Sequence, residues 1–128
     1  MFEVTFTGPT TSGSACPTAA VWRDLHIEGA SATHSDPAGD IPITDLVRDD
    51  FTGDLYAATD FGVLRDAGGA DGTWTEAGPG LPRVEVPGLT IDPCSRLLYA
   101  ATHGRSAWRM YLPDVAAAKN ASPCPRTP

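Results

Sequence analysis

The sequence predicts an all-β chain made of β-propeller blades, about two and a half of them, each a short four-stranded antiparallel sheet. Three observations predict it. Leu55-Tyr56-Ala57-Ala58-Thr59 returns as Leu98-Tyr99-Ala100-Ala101-Thr102, 43 residues further on. Gly 13 and Pro 12 cut the 128 residues into short runs, which favours many small elements over long helices. No stretch shows the 3.6-residue apolar period of an amphipathic helix. A repeat of about 40 residues marks stacked, blade-sized units.

The elements follow in order. Phe2, Val4 and Phe6 alternate with Glu3, Thr5 and Thr7 as a half-buried strand should, and Gly8-Pro9 ends it. Ala19 to Leu25 reads as a second strand, and Glu28 to Pro42 as a long polar connection. Ile43–Arg48, Leu55–Thr59, Gly62–Arg65 and Thr73–Ala77 read as four strands, separated by the turn formers Asp49–Asp54 and Asp66–Gly72. The next unit repeats them: seven of the fourteen positions in 46–59 recur in 89–102, and Ala107-Trp108-Arg109 matches Val63-Leu64-Arg65 with one residue inserted. Upstream, Val4 precedes Tyr56 by 52 residues and Trp22 precedes Trp74 by the same 52, which predicts a diverged first copy starting at a position equivalent to Tyr56. The expected organisation is therefore a partial blade at 2–42, a full blade at 43–82, a closing blade at 83–112 and a Pro/Ala-rich tail at 113–128. The repeated strand has apolar residues on both faces, as a strand covered from both sides requires. Within it Leu55, Tyr56, Thr59 and Gly62, with Leu98, Tyr99 and Thr102, are the structural repeat positions.

Composition narrows the partners. The net charge is −7, with eight Arg scattered singly and one Lys. Nucleic acid and anionic membranes are excluded as expected partners, because binding phosphates needs clustered cations. No apolar run reaches the ~20 residues of a membrane span, and the alternating start carries no signal-peptide pattern. The three cysteines, Cys16, Cys94 and Cys124, leave at least one unpaired; Cys94 and Cys124 form a disulfide in one reading, and the thiols are free and buried in the other.

The order Trp22…Pro42-Ile43-Thr44-Asp45-Leu46…Gly53-Asp54-Leu55-Tyr56-Ala57-Ala58-Thr59-Asp60-Phe61-Gly62-Val63 resembles blades of the BNR/Asp-box and sortilin-like propellers. That superfamily includes sialidases, xyloglucanase-type glycosidases and photosystem II assembly factor-like proteins. Gly80-Leu81-Pro82…Leu89-Thr90-Ile91-Asp92-Pro93…Leu98 to Trp108 looks like a closing blade at the C-terminal end of such a propeller. The Asp66–Trp74 segment keeps the Asp, Gly, Thr and Trp of an Asp-box but is longer than the family pattern. The resemblance implies a C-terminal fragment of a larger propeller, an extracellular location (in keeping with the low Lys content), and glycan or protein partners. It also implies that the isolated chain meets either its remaining blades or another copy of itself.

Candidate chemistry is sparse. Asp45, Asp49, Asp50 and Asp54 supply the carboxylates a glycosidase needs, but the same residues are preferred in turns, and Asp49 recurs as Asp92. No calcium-loop spacing is present, so no metal is expected. His103 and Arg105 lie where the repeat gains a residue and are candidates for binding an anion. Trp22 and Trp74 are candidates for stacking on sugars, or blade core. His26 and His34 have no partner at ligand spacing. No arginine triad, nucleophile or acid–base pair can be assigned, and no cofactor is implied. Two function classes stay open: a non-catalytic scaffold or binding surface, and the end of a sialidase-like or other glycoside hydrolase whose catalytic residues lie on other blades.

Overall fold

Asp49 to Gly53 are turn formers flanked by two apolar strands, and in the computed structural model they close a hairpin between β3 (Ile43–Arg48) and β4 (Leu55–Thr59). The structure describes residues 2–7, 19–24, 41–69 and 73–113. His26, His34, Cys16, Cys124, the connection 28–40 and the tail 114–128 lie outside the described residues. The other strands are β1 (Phe2–Thr7), β2 (Ala19–Asp24), β5 (Gly62–Asp66), β6 (Trp74–Glu76), β7 (Gly88–Asp92), β8 (Leu97–Thr102) and β9 (Ser106–Tyr111). The chain is all-β: among the described residues the only helical turn is a 3₁₀ turn at Ala67–Gly69. Every pairing is antiparallel between sequence neighbours, giving sheets β1-β2, β3-β4-β5-β6 and β7-β8-β9. The four-strand unit is complete in the second sheet, and the third has three strands among the described residues.

The 43-residue repeat holds down to single hydrogen bonds. Asp49 Oδ1 accepts the Phe51 amide at 3.2 Å and Oδ2 accepts the Thr52 hydroxyl at 2.7 Å. Asp92 does the same with the Cys94 amide, at 2.9 Å, and the Ser95 hydroxyl. These are side-chain turns that leave the strands on either side free to pair. Thr59 then donates to the Gly62 carbonyl at 2.9 Å, and Thr102 to the Ser106 carbonyl. Ser106 sits opposite Thr102 as Gly62 sits opposite Thr59. Both residues have positive φ, 116° for Gly62 and 65° for Ser106. A serine there carries a steric penalty that glycine avoids, of about 1 kcal/mol, partly offset by glycine's greater freedom in the unfolded chain. Ser106→Gly is therefore expected to raise stability by up to about 1 kcal/mol, read from the urea midpoint at unchanged m.

Strand alternation divides the core in two. Tyr56, Ala58 and Val63 leave one face of the second sheet and meet Val86, Leu89, Leu98, Ala100 and Leu112 around the third. Ala57 and Trp74 leave the opposite face, with Ile43, Leu55 and Leu64 packed beside them. The second and third sheets approach through their first strands, β3 against β7, with β4 against β7 next. The connection from β6 to β7 crosses this convergence: the Val86 amide donates to Thr59 O at 3.0 Å, and the Thr44 hydroxyl to Val86 O at 2.6 Å. Sheets that converge at their first strands are wedges, the shape that radial stacking needs.

The first sheet corrects the 52-residue offset. Val4 pairs directly with Trp22, with no strand between β1 and β2. Tyr56 and Trp74, by contrast, lie on β4 and β6, with β5 between them. Aligning Trp22 with Trp74 places Val4 opposite it as Asp66 lies opposite Trp74, so β1 corresponds to β5 and not to the Tyr56 strand. The hairpin thus matches the outer half of a blade. Leu46 agrees: its repeat partner Leu89 is 6% exposed, whereas Leu46 on the inner strand remains 41% exposed.

Candidate functional site

The most heavily bonded polar cluster in the described residues is the seam between the second and third sheets, at the end of the stack where β3 and β7 finish. Its centre is Asp49, held at the start of the first turn with a side chain 2% exposed. Arg96 reaches it from the equivalent turn of the next repeat, Nη1 to Oδ1 at 2.6 Å and Nη2 to Oδ2 at 2.7 Å. Nη2 also donates to Pro113 O at 2.9 Å, and the guanidinium lies over the Phe51 ring, 4.7 Å from its centroid. This forked, two-point geometry is what arginine offers and lysine does not. Burial by itself would push the Asp49 carboxyl up; hydrogen bonds from Arg96, Thr52 and Phe51 outweigh that and hold it below its ordinary value.

Arg96 occupies the repeat position of Gly53, and the backbone explains both residues. Gly53 has φ 81° and Arg96 φ 53°, the left-handed region that glycine enters freely. The third sheet therefore tolerates a strained arginine where the second has glycine, and the guanidinium it gains ties the two sheets together. Sequence reasoning missed this pair. The signal was present as a substitution inside the repeat: a long cation replacing a turn glycine, facing an Asp that recurs.

Two further carboxylates of the cluster, Asp54 and Asp45, are also committed to structure. Asp54, 3% exposed, accepts from Arg65 Nε at 2.8 Å and from the Gly68 amide at 2.7 Å, with the Tyr56 hydroxyl at 3.4 Å. Burial, and then the Asp54 charge beside it, push the Tyr56 phenol up to about 12, so it remains a neutral donor at physiological pH. Asp45 accepts from the Leu89 amide at 2.8 Å, a second tie between β3 and β7. Asp50 alone of the four is exposed. A cleft of about 450 Å³ opens beside the seam, lined by Arg48, Asp49, Asp50, Phe51, Ile91 and Pro93.

The residues singled out in the sequence are not gathered into one site. His103 and Arg105 are exposed on the turn between β8 and β9. His103 Nδ1 lies 2.8 Å from Glu85 Oε2, and its amide donates to Glu85 O at 2.9 Å. With side chains 75% and 47% exposed, this pair is a solvated surface contact that stabilises little. The Arg105 carbonyl accepts the Trp108 indole N–H at 2.8 Å, so the turn is built to be closed. Trp74 is buried against Ala57 in the second sheet, and Trp22 is 67% exposed on the first. Of the two candidates, Trp74 is therefore core and Trp22 presents its side chain at the surface. Cys94 is disulfide-bonded, which removes the reading with three free thiols. The other two cysteines lie outside the described residues, so the Cys94–Cys124 pairing stays an expectation. Among the described residues, no group of three or more His, Cys, Asp or Glu could hold a metal ion.

Acid should expose what the seam contributes. Because the folded Asp49 value lies below the unfolded one, its contribution is complete above about pH 4 and disappears as pH falls through the folded value. Asp49→Asn is expected to lower stability at neutral pH and to flatten the acid limb of a urea-midpoint curve. An acid limb as steep in the variant as in the parent would locate the titrating groups elsewhere. Asp92, held low by its Ser95 and Cys94 hydrogen bonds, would supply the residual slope.

No model of a known family, no curated protein and no solved structure matches the chain.

Proposed function

We propose that this chain is a non-catalytic β-propeller segment, a scaffold of stacked blades that offers a binding surface for glycan or protein. One observation carries the reading: Asp49 and Asp54, the buried carboxylates of the candidate cluster, are saturated by donors of the fold. Asp49 receives Arg96, Thr52 and Phe51, and Asp54 receives Arg65, Gly68 and Tyr56. A general acid has to keep a proton near neutral pH and present it to a leaving group; Asp49 is held ionised instead. The repeat supports the same reading, since Asp49 and Asp92 do the same work in successive turns. The seam cleft, with exposed Arg48 and Asp50 beside Phe51, Ile91 and Pro93, mixes polar and apolar groups as ligand surfaces do. Incubation with a panel of fluorogenic glycosides, sialosides included, tests the proposal. No turnover above buffer is expected, and hydrolysis that disappears in Asp50→Asn would overturn it in favour of the glycosidase reading.

A further inference from the structure

Cys94 is disulfide-bonded, and with three cysteines in the chain its partner is Cys16 or Cys124. Reach decides between them. Cys94 lies in the turn entering β8, where the Asp92 carboxylate accepts its amide at 2.9 Å. The exit of β9 returns to that turn: the Leu112 amide donates to Arg96 O and Arg96 Nη2 to Pro113 O, both at 2.9 Å. Cys124 follows Pro113 by eleven residues, which extend to roughly 35 Å, ample for a start beside Arg96. Cys16 precedes Ala19, the first residue of β2, by three residues, a reach of at most about 11 Å. β2 stands on the other side of the second sheet. Arg23 Nη2 donates to Gly69 O at 2.6 Å, and Gly69 lies against Leu55, on the Ala57–Trp74 face. The third sheet packs on the opposite face, against Tyr56 and Ala58. Stacked sheets are about 10 Å apart, which separates the first sheet from the third by about 20 Å. A disulfide joins Cα atoms no more than about 7 Å apart, so from Ala19 the sum falls short.

We propose that Cys94 is joined to Cys124, and that this bridge is a reducible lock on the seam between the second and third sheets. The ring it closes contains Arg96 together with Leu112 and Pro113, which hold its backbone and its guanidinium. When β9 frays, the ring keeps Leu112 and Pro113 near Arg96, so recapture is fast. Arg96 thereby keeps its positive φ of 53° and its fork on Asp49. Cys94 is exposed, so a dithiol reductant reaches the bond. One thiolate of the reductant attacks a bridge sulfur, the S–S bond breaks, and the second thiol resolves the mixed disulfide. The dithiol gives up two electrons and two protons and closes to its own disulfide, while Cys94 and Cys124 become thiols. The lock is thus set in an oxidising compartment and released in a reducing one. Cys16 is left as the single thiol of the oxidised chain.

The test uses the full chain. Alkylated without reduction and cut with trypsin, it should yield peptide 84–96 joined to peptide 120–126, with one alkylated thiol on peptide 1–23. Peptide 84–96 joined to 1–23, or alkylated on its own, would overturn the pairing. Dithiothreitol is expected to lower the folded-to-unfolded ratio in urea by about 100-fold, the scale for a ring of this size. Cys124→Ser should match the reduced parent and Cys16→Ser the oxidised one; the reverse pattern would also overturn the pairing. The lock has its own readout in hydrogen exchange of the parent. Reduction should quicken the Leu112 amide, bonded to Arg96, and the Phe51 amide, bonded to Asp49, several-fold more than the amides of β2. An equal factor at all of them would mean that the bridge acts only on the unfolded chain, and the lock would fall. If Cys124→Ser fails to fold, the peptide map and the exchange of the parent decide.

Discussion

Arg96→Gly is expected to destabilise the chain by about 2–4 kcal/mol, although it restores the residue that the repeat carries at Gly53 and relaxes a strained backbone. Two effects oppose each other. Removing one partner of a buried ion pair costs about 3–5 kcal/mol, because the other charge is left desolvated. Asp49 is that other charge, with a side chain 2% exposed against 11% for Arg96. Relief of the positive φ at Arg96 returns about 1 kcal/mol. The first effect is larger, so the sign is destabilising despite a glycine that suits the turn better. Arg96→Lys keeps the charge and loses the fork, and should fall between the two. A double-mutant cycle with Asp49→Asn separates the contributions: the pair is strongly coupled if Arg96→Gly costs much less once Asp49 is already neutral. A stability rise in Arg96→Gly would mean that strain outweighs the ion pair.

The second large effect contrasts the two repeated tyrosines. Tyr56→Ala is expected to cost about 3–5 kcal/mol, as loss of a buried aromatic does. Tyr56 is wholly enclosed, and its hydroxyl lies 3.4 Å from Asp54 Oδ2. For a small domain that loss is a large fraction of total stability, so the variant is expected to be largely unfolded at 37 °C. Tyr99→Ala, at the equivalent position but 37% exposed, should cost about 1 kcal/mol in dilute solution. The measurement is a pair of denaturant curves at a concentration where the parent is monomeric. Equal costs at the two positions would mean that Tyr99 is covered as Tyr56 is.

Much of the fold was legible because the chain writes its strands twice. Ile43–Arg48 and Leu55–Thr59 have the predicted bounds, and the other strands that the turn formers delimit shift by a residue or so at their ends. Local pattern decides these features: an Asp that caps its own turn looks the same at Asp49 and Asp92 wherever it sits. What the pattern leaves open is which neighbour covers a face. Tyr56 and Tyr99 lie in identical pentapeptides and differ only in what stands opposite them. The same holds for Trp22 and Trp74, where an equal offset hid a difference in pairing. The polar seam was harder still. Asp49 and Arg96 are 47 positions apart, and three of the carboxylates that suggested chemistry, Asp45, Asp49 and Asp54, accept from donors distant in sequence.

The Arg96 tie has a consequence for how the molecule comes apart. Hairpins joined in sequence order form from local contacts, so each sheet of a meander can open and reclose as an independent unit when little links it to the next. Here the turn entering β8 is fastened to the turn entering β4, and the Leu112 amide donates to Arg96 O at 2.9 Å, drawing the exit of β9 to the same point. Fraying of the last strand then pulls on the guanidinium that steadies the sheet before it. Hydrogen exchange should record this as shared opening: the amides of β4 and β8 lose protection with one common free energy in the parent chain, and with two separate ones once Arg96 is replaced.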